Sequence, residues 1–212
     1  MPRIALATIS IDSTIKLWSI KDERPFWSGH VPREGLPSSI DFLDGGLHRG
    51  LLVGRKQGTV LQLLSIVNVR VAATIKFTTG AKDTREDNES VFCHVAYDPQ
   101  IKTLWVAHSA RSSLFAVRIS YDVSLAPLTD SEQQVQAQLS QQLQTPRSPI
   151  VDQIIEFPTP MQIINMAILM NDGHEAGNAV ASFVMHQRGV DQLNISMTTF
   201  ENALAGTEAL HP

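Results

Sequence analysis

The chain has one cysteine, Cys93, in 212 residues, which excludes an internal disulfide framework and any multi-cysteine zinc site. It has no surplus of positive charge either. Seventeen Lys and Arg stand against 21 Asp and Glu, a formal net charge of -4, and nucleic-acid binders usually carry a strongly basic domain or stripe. No apolar run reaches the roughly 20 residues of a bilayer span, and the amino terminus lacks the basic-then-apolar order of a secretory leader. A reducing cytoplasmic compartment fits these absences, and no membrane is expected as a partner.

Catalytic patterns are missing as well. The seven histidines form no HExxH or HxH cluster, and no CxxC exists, so metal-ligand spacing is absent. Gly45, Gly46 and Gly50 match neither GxGxxG nor the phosphate-cradling GxxxxGK pattern. His174 and Glu175, in NDGHEAGN, read as a solvated hairpin loop, and Cys93 reads as a small buried hydrophobe in a strand. The expectation is a chain with no catalytic, cofactor-binding or metal residues and no small-molecule substrate: not an enzyme.

What is present is strand-forming sequence. Hydrophobic residues make up 43% of the chain, enough to bury a sizeable core. Residues 4–9 are apolar and β-branched, Asp12 and Ser13 are turn formers, and residues 14–20 resume strand character, which describes a hairpin. The stretch LATISIDSTIKLWSI resembles the second half of a WD repeat. In that family an Asp at this turn, a Ser or Thr of the preceding strand, the Trp of the following strand and an upstream His share one hydrogen-bond network. The resemblance places Asp12, Ser10 or Thr8, and Trp18 in three of those positions, with Trp18 in a buried packing role. Gly29-His30 looks like the Gly-His of the next repeat, so Asp12, Trp18 and His30 are the expected blade-structural residues.

Short strands punctuated by Gly, Asp, Asn and Pro recur at about 40 to 45 residues. Units of four strands are expected within 25–66, 69–120 and 151–197, after two strands at the start. The repeats are degenerate: Leu63 and Val117 stand where Trp18 stands, so apolar packing between blades must replace the polar network. The predicted fold is all-β, a WD-repeat-like β-propeller of about three and a half blades, an incomplete ring, since propellers close with about 4 to 8 four-stranded blades. Its divisions are 1–121 for the first blades, 122–149 for a Gln-rich flexible insertion, 150–198 for the last blade and 199–212 for a carboxy-terminal tail. Charged residues 78–90 are expected as a loop between the first two strands of one blade. The chain is read as the carboxy-terminal half of a larger propeller.

Taken in order, IDFLDGGLHRGLLVGRKQGTVLQLLSIVNVRVAATIKF, HVAYDPQIKTLWVAHSARSSLFAVRIS, VDQIIEFPTP and ASFVMHQRGVDQLNIS resemble the propeller region of fungal relatives of the enhancer of mRNA-decapping protein 4 family. The resemblance runs from about Asp41 onward, outside the Gln-rich insert, and consists of hydrophobic and turn patterns. It implies a non-catalytic scaffold of cytoplasmic mRNA decapping and decay, concentrated in processing bodies, with decapping factors as protein partners. A WD-repeat adaptor of another complex and a direct RNA binder stay open beside it. Trp27, Arg55, Arg111 and Arg188 are the candidate partner-binding residues, from their placement near turns and the preference of interfaces for Trp and Arg.

Overall fold

The computed structural model describes residues 5–43, 50–66, 70–78, 91–122, 148–170 and 179–196. Among the described residues fourteen strands follow one another: β1 Ala5–Ile9, β2 Thr14–Ser19, β3 Arg24–His30, β4 Pro37–Phe42, β5 Gly50–Arg55, β6 Val60–Ser65, β7 Arg70–Lys76, β8 Cys93–Asp98, β9 Thr103–His108, β10 Ser113–Asp122, β11 Ser148–Pro158, β12 Asn165–Met170, β13 Ala179–His186 and β14 Gly189–Ser196. They form four antiparallel meanders, β1-β2-β3, β4-β5-β6-β7, β8-β9-β10-β11 and β12-β13-β14.

The burial pattern explains why these sequences make these sheets. In β1, Ala5, Ala7 and Ile9 are half-buried while Leu6 and Thr8 are exposed, the period-two alternation of a sheet covered on one face. By contrast, β5, β6 and β9 are buried at every residue, which is why LLV, VLQLL and LWVA read as continuous apolar runs. Alternate residues of these strands serve different neighbours. Leu51, Val53 and Leu64 pack with Ile15 and Leu17 of the first sheet, whereas Leu52, Leu61 and Leu63 pack with Leu104, Val106, Phe115 and Val117 of the third. Trp105, Ala107, Leu114 and Ala116 point the other way, onto Ile163, Val184 and Ile195. Each fully buried aliphatic side chain stabilises by about 1.5–3 kcal/mol, so the layers between sheets hold the stack together. The fold is a WD-repeat-like β-propeller, an incomplete ring, with two four-stranded blades between two three-stranded ones among the described residues.

The sheets are offset by one strand from the units read in the sequence. Strands β3, β7 and β11 open those units, yet each pairs backward with β2, β6 and β10 respectively. The cause is geometric: each of these strands follows its partner through a hairpin and lies antiparallel to it, whereas the next strand starts a new sheet. Residues 78–90 therefore join β7 of one sheet to β8 of the next rather than two strands of one blade. Likewise the insertion interrupts the β10–β11 hairpin, in which Asp122 pairs with Ser148, so β11 belongs with the third sheet and not with the last. The Gln-rich stretch itself, the tail 199–212 and His174 with Glu175 lie outside the described residues. Among the described residues, no helix is long and apolar enough to cross a membrane.

Candidate functional site

Because successive strands reverse direction, residues 10–13, Lys56–Gly58, residues 109–112 and residues 187–188 all turn at one end of the stack. The links 31–36 and 159–164 lie at that same end, as do the described ends of the link between the second and third sheets, residues 77–78 and 91–92. This crowded end is the candidate interaction face.

Hydrogen bonds tie the face across sheet boundaries. Arg55 closes β5, fully buried, and its Nη1 donates to Ser13 Oγ at 3.1 Å and to the Gly35 carbonyl at 3.0 Å. Its Nε donates to Gln62 Oε1 at 2.6 Å. Gln62 Nε2 donates in turn to Glu34 Oε2 at 3.3 Å, and Glu34 pairs with Lys76. The hydrogen bond from Lys76 chiefly holds the Glu34 carboxyl below its usual range. Burial lowers the Arg55 pKa, with the Glu34 charge opposing it, and Arg55 Nη2 is buried without a hydrogen-bond partner. Further along, Arg111 Nη2 donates to the Thr78 carbonyl at 2.8 Å, and Thr159 N donates to the Ser112 carbonyl at 2.8 Å.

Arg55 was expected on an exposed loop, and its burial corrects that. It sits one residue before the turn, on the side of β5 that faces the first sheet, so its guanidinium bridges two blades instead of reaching solvent. Of the other candidates, Trp27 is half-buried and packs against the layer between the first two sheets. Arg111 is half-buried, its guanidinium carbon 5.9 Å from the Phe115 ring centre. Arg188 is exposed, and its backbone N donates to His186 Nδ1 at 3.1 Å. Arg111 and Arg188 thus share the turn-bearing end, while Trp27 belongs to an interior layer.

The WD-like residues split into two pieces. Trp18 Nε1 donates to Thr8 Oγ1 at 3.0 Å. Separately, Asp12 accepts from Ser10 Oγ, from Thr14 N at 2.9 Å and from Thr14 Oγ1 at 3.0 Å. The Ser10 bond, then the two Thr14 bonds, lower the Asp12 pKa to about 2. His30 is exposed opposite Thr14 and touches this group only through its field, the least of the causes. Trp18 is half-buried on the outer side of the first sheet, with Lys16 Nζ 5.8 Å from its ring centre. The expected core role is therefore corrected: the apolar layer uses Ile15 and Leu17, and Trp18 alternates away from it. Register also places Leu64, not Leu63, opposite Leu51 as Trp18 is opposite Leu6 and Val117 opposite Leu104.

Residues missed in the sequence are Gln62, Glu34, Lys76 and His108. A signal existed for one of them: Gln62, like Arg55 beside it, interrupts an apolar strand that is buried on both faces, and a buried polar group or charge demands a partner. His108 is fully buried at the end of β9; its Nδ1 accepts from Ala110 N at 3.1 Å and its Nε2 is without a partner. Burial, then the Arg111 charge, lowers its pKa. Burial pushes the Cys93 thiol up to about 12, which keeps it protonated and a poor nucleophile. Among the described residues no three of His, Cys, Asp and Glu are grouped to hold a metal ion.

No family model matches the chain, and no curated protein matches it. Solved structures give distant likenesses. NirN, a dihydro-heme d1 dehydrogenase in complex with DHE, is 14% identical over 90% of this chain and 32% of its own, with a TM-score of 0.48. The WD40 β-propeller domain of Doa1 is 12% identical over 90% of this chain and 46% of its own, TM-score 0.46. Hsv2 of Kluyveromyces marxianus is 15% identical over 71% of this chain and 42% of its own, TM-score 0.43. The chain spans less than half the length of each.

Proposed function

We propose that this chain is a non-catalytic protein-interaction scaffold of cytoplasmic mRNA decapping and decay. The observation that carries the scaffold reading is the turn-bearing end, where the buried Arg55 group locks turns of adjacent blades together. A face held this way can present side chains with little ordering cost on binding. The decapping context is supported by the sequence resemblance from about Asp41 onward. Decapping factors are then the partners, and processing bodies the place of action.

Pull-down from cytosolic extract with the tagged chain tests this reading: retention of decapping factors is the expected result. Retention of an unrelated assembly without them would favour the adaptor reading. A salt-dependent shift of labelled RNA by the purified chain would favour direct RNA binding, since phosphate contacts release counterions.

A further inference from the structure

Arg55 carries a buried charge that the described residues leave uncompensated. Its side chain is fully buried, and the guanidinium donates only to neutral acceptors: Gln62 Oε1, Ser13 Oγ and the Gly35 carbonyl. Among the described residues it belongs to no ion pair. Glu34 acts on it through its field alone and is itself paired with Lys76. Arg55 Nη2 is left buried without a partner. A buried cation in this state is costly until an anion meets it, and a guanidinium meets a carboxylate through strong, charge-assisted hydrogen bonds.

The surroundings favour an incoming anion. Four cations, Arg33, Arg55, Lys56 and Lys76, stand against two anions, Asp12 and Glu34, around the turn 10–13 and the link 31–36. That local surplus of two positive charges sits in a chain whose net charge is -4. His30, exposed opposite Thr14, adds no negative charge. The cover at Gly35 is thin: this residue is exposed, and a Cβ on it would meet Lys56 Cγ at 2.6 Å, so the flexible stem of exposed Lys56 lies across it. The two most exposed large hydrophobic side chains among the described residues lie here as well. Ile11, 78% exposed, precedes Asp12, and Leu36, 67% exposed, accepts from Lys56 N at 3.0 Å through its carbonyl.

We propose that this junction of the first two sheets takes an acidic peptide segment of a partner protein. One carboxylate of the segment reaches the Arg55 guanidinium beside Lys56, and an apolar side chain next to it rests on Ile11 and Leu36. Charge decides against a run of phosphates: Asp12 and Glu34 border the site and repel a polyanion, whereas one or two peptide carboxylates match the local surplus. The choice of a protein as occupant rests on the scaffold reading, and it is independent of the decapping context.

Phage-displayed random octapeptides panned on the purified chain test it. Enrichment of peptides with Asp or Glu beside a large apolar residue is the expected result. Binding of the enriched peptide, read by fluorescence anisotropy, should weaken by about tenfold or more when its acid is replaced by the matching amide, and equally in Lys56→Glu. Leu36→Ser should weaken it by about threefold or more. Both variants alter exposed positions, and thermal melts verify that they fold. Recovery of no peptide, recovery of peptides without an acid, or an affinity that Lys56→Glu leaves unmoved overturns the proposal. So does a shift of labelled RNA that Lys56→Glu abolishes, which would assign the site to phosphate. Capture of decapping factors by Lys56→Glu at full yield would sink this site and leave the scaffold reading standing.

Discussion

Arg55 and Gln62, joined at 2.6 Å, occupy the same pair of register positions in the second sheet as His186 and Asp191 do in the fourth. There the imidazole Nε2 lies 3.1 Å from Asp191 Oδ2, near enough for charge attraction though not aligned as a hydrogen bond. In the third sheet the corresponding pair is His108 and Phe115, and Phe77 lies 6.3 Å from the first ring and 5.3 Å from the second. One slot, at the turn and facing the preceding blade, is filled by a guanidinium with an amide, by two rings, and by an imidazole with a carboxylate. The backbone geometry repeats while the side-chain chemistry does not.

The Arg55 slot makes a direct prediction. Arg55→Met keeps the length of the side chain and removes all three donated bonds, leaving Gln62, Ser13 and the Gly35 carbonyl short of a partner. Each buried group so stranded costs about 1–3 kcal/mol, so the unfolding free energy from urea titration is expected to fall by that much or more, with a lower midpoint. An unchanged unfolding free energy would show that the guanidinium contributes nothing net.

Trp105 and Trp18 should separate cleanly. Trp105 is fully buried between the third and fourth sheets, and Trp105→Ala is expected to cost about 3–5 kcal/mol. Trp18→Ala removes one bond to Thr8 and partial burial, worth roughly 1–2 kcal/mol. Paired thermal melts measure both; equal losses would contradict the outward placement of Trp18.

Two groups give the chain an acid limit. Asp12 has its pKa lowered from 3.8 to about 2 by Ser10 and Thr14, so the unfolded chain takes up protons first, and stability falls as pH drops from about 4 to about 2. His108 is also lowered, by burial and then by Arg111. Its neutral form is favoured in the fold, so its contribution is complete above the ordinary 6.5 and is lost as pH falls below that value. Denaturant titrations from pH 8 to pH 2 should show two declines. His108→Phe should remove the upper one, and Asp12→Asn should shrink the lower one, to which the lowered Glu34 carboxyl also contributes.

The hairpin of residues 4–20 was legible because its turn chemistry and period-two alternation are local. The number of strands was legible too, since each is bounded by Gly, Asp, Asn or Pro. What the sequence did not yield is which strand pairs with which: β3, β7 and β11 look the same as openers of a unit or closers of a blade, and only hydrogen bonding across the hairpin decides. Trp18 misled for a related reason. Register fixes which face a residue occupies, and a shift of one position separates Leu17 in the core from Trp18 outside it. Arg55 read as surface because arginine is almost never fully buried unless paired, and its partners Ser13 and Gly35 are distant in sequence.

Gly58 tests how closely the turn of the second sheet meets the third. Its φ is +85°, and a Cβ there would lie 2.6 Å from the Cys93 carbonyl oxygen. Gly58→Ala therefore combines backbone strain of about 1–3 kcal/mol with a clash against main chain. The expected result is a lower melting temperature with faster alkylation of Cys93, whose thiol is otherwise held near 12 by burial. Unchanged alkylation with a lower melting temperature would place the strain within the turn alone.

The last prediction separates binding from folding at the turn-bearing end. Arg188 is exposed, and among the described residues its side chain makes no hydrogen bond or ion pair, while its backbone N is held by His186. Arg188→Ala should therefore leave the thermal melt within about 0.5 kcal/mol of the parent. Arg111→Ala gives up the bond to Thr78 and the stacking on Phe115, so a loss near 1 kcal/mol is expected. If this end is the partner-binding face, both variants reduce the yield of captured proteins in the pull-down while remaining folded, because Arg anchors often dominate interface energy. Full capture by the folded double variant would move the binding face away from these turns, leaving the sheet edges and the opposite end to be mapped.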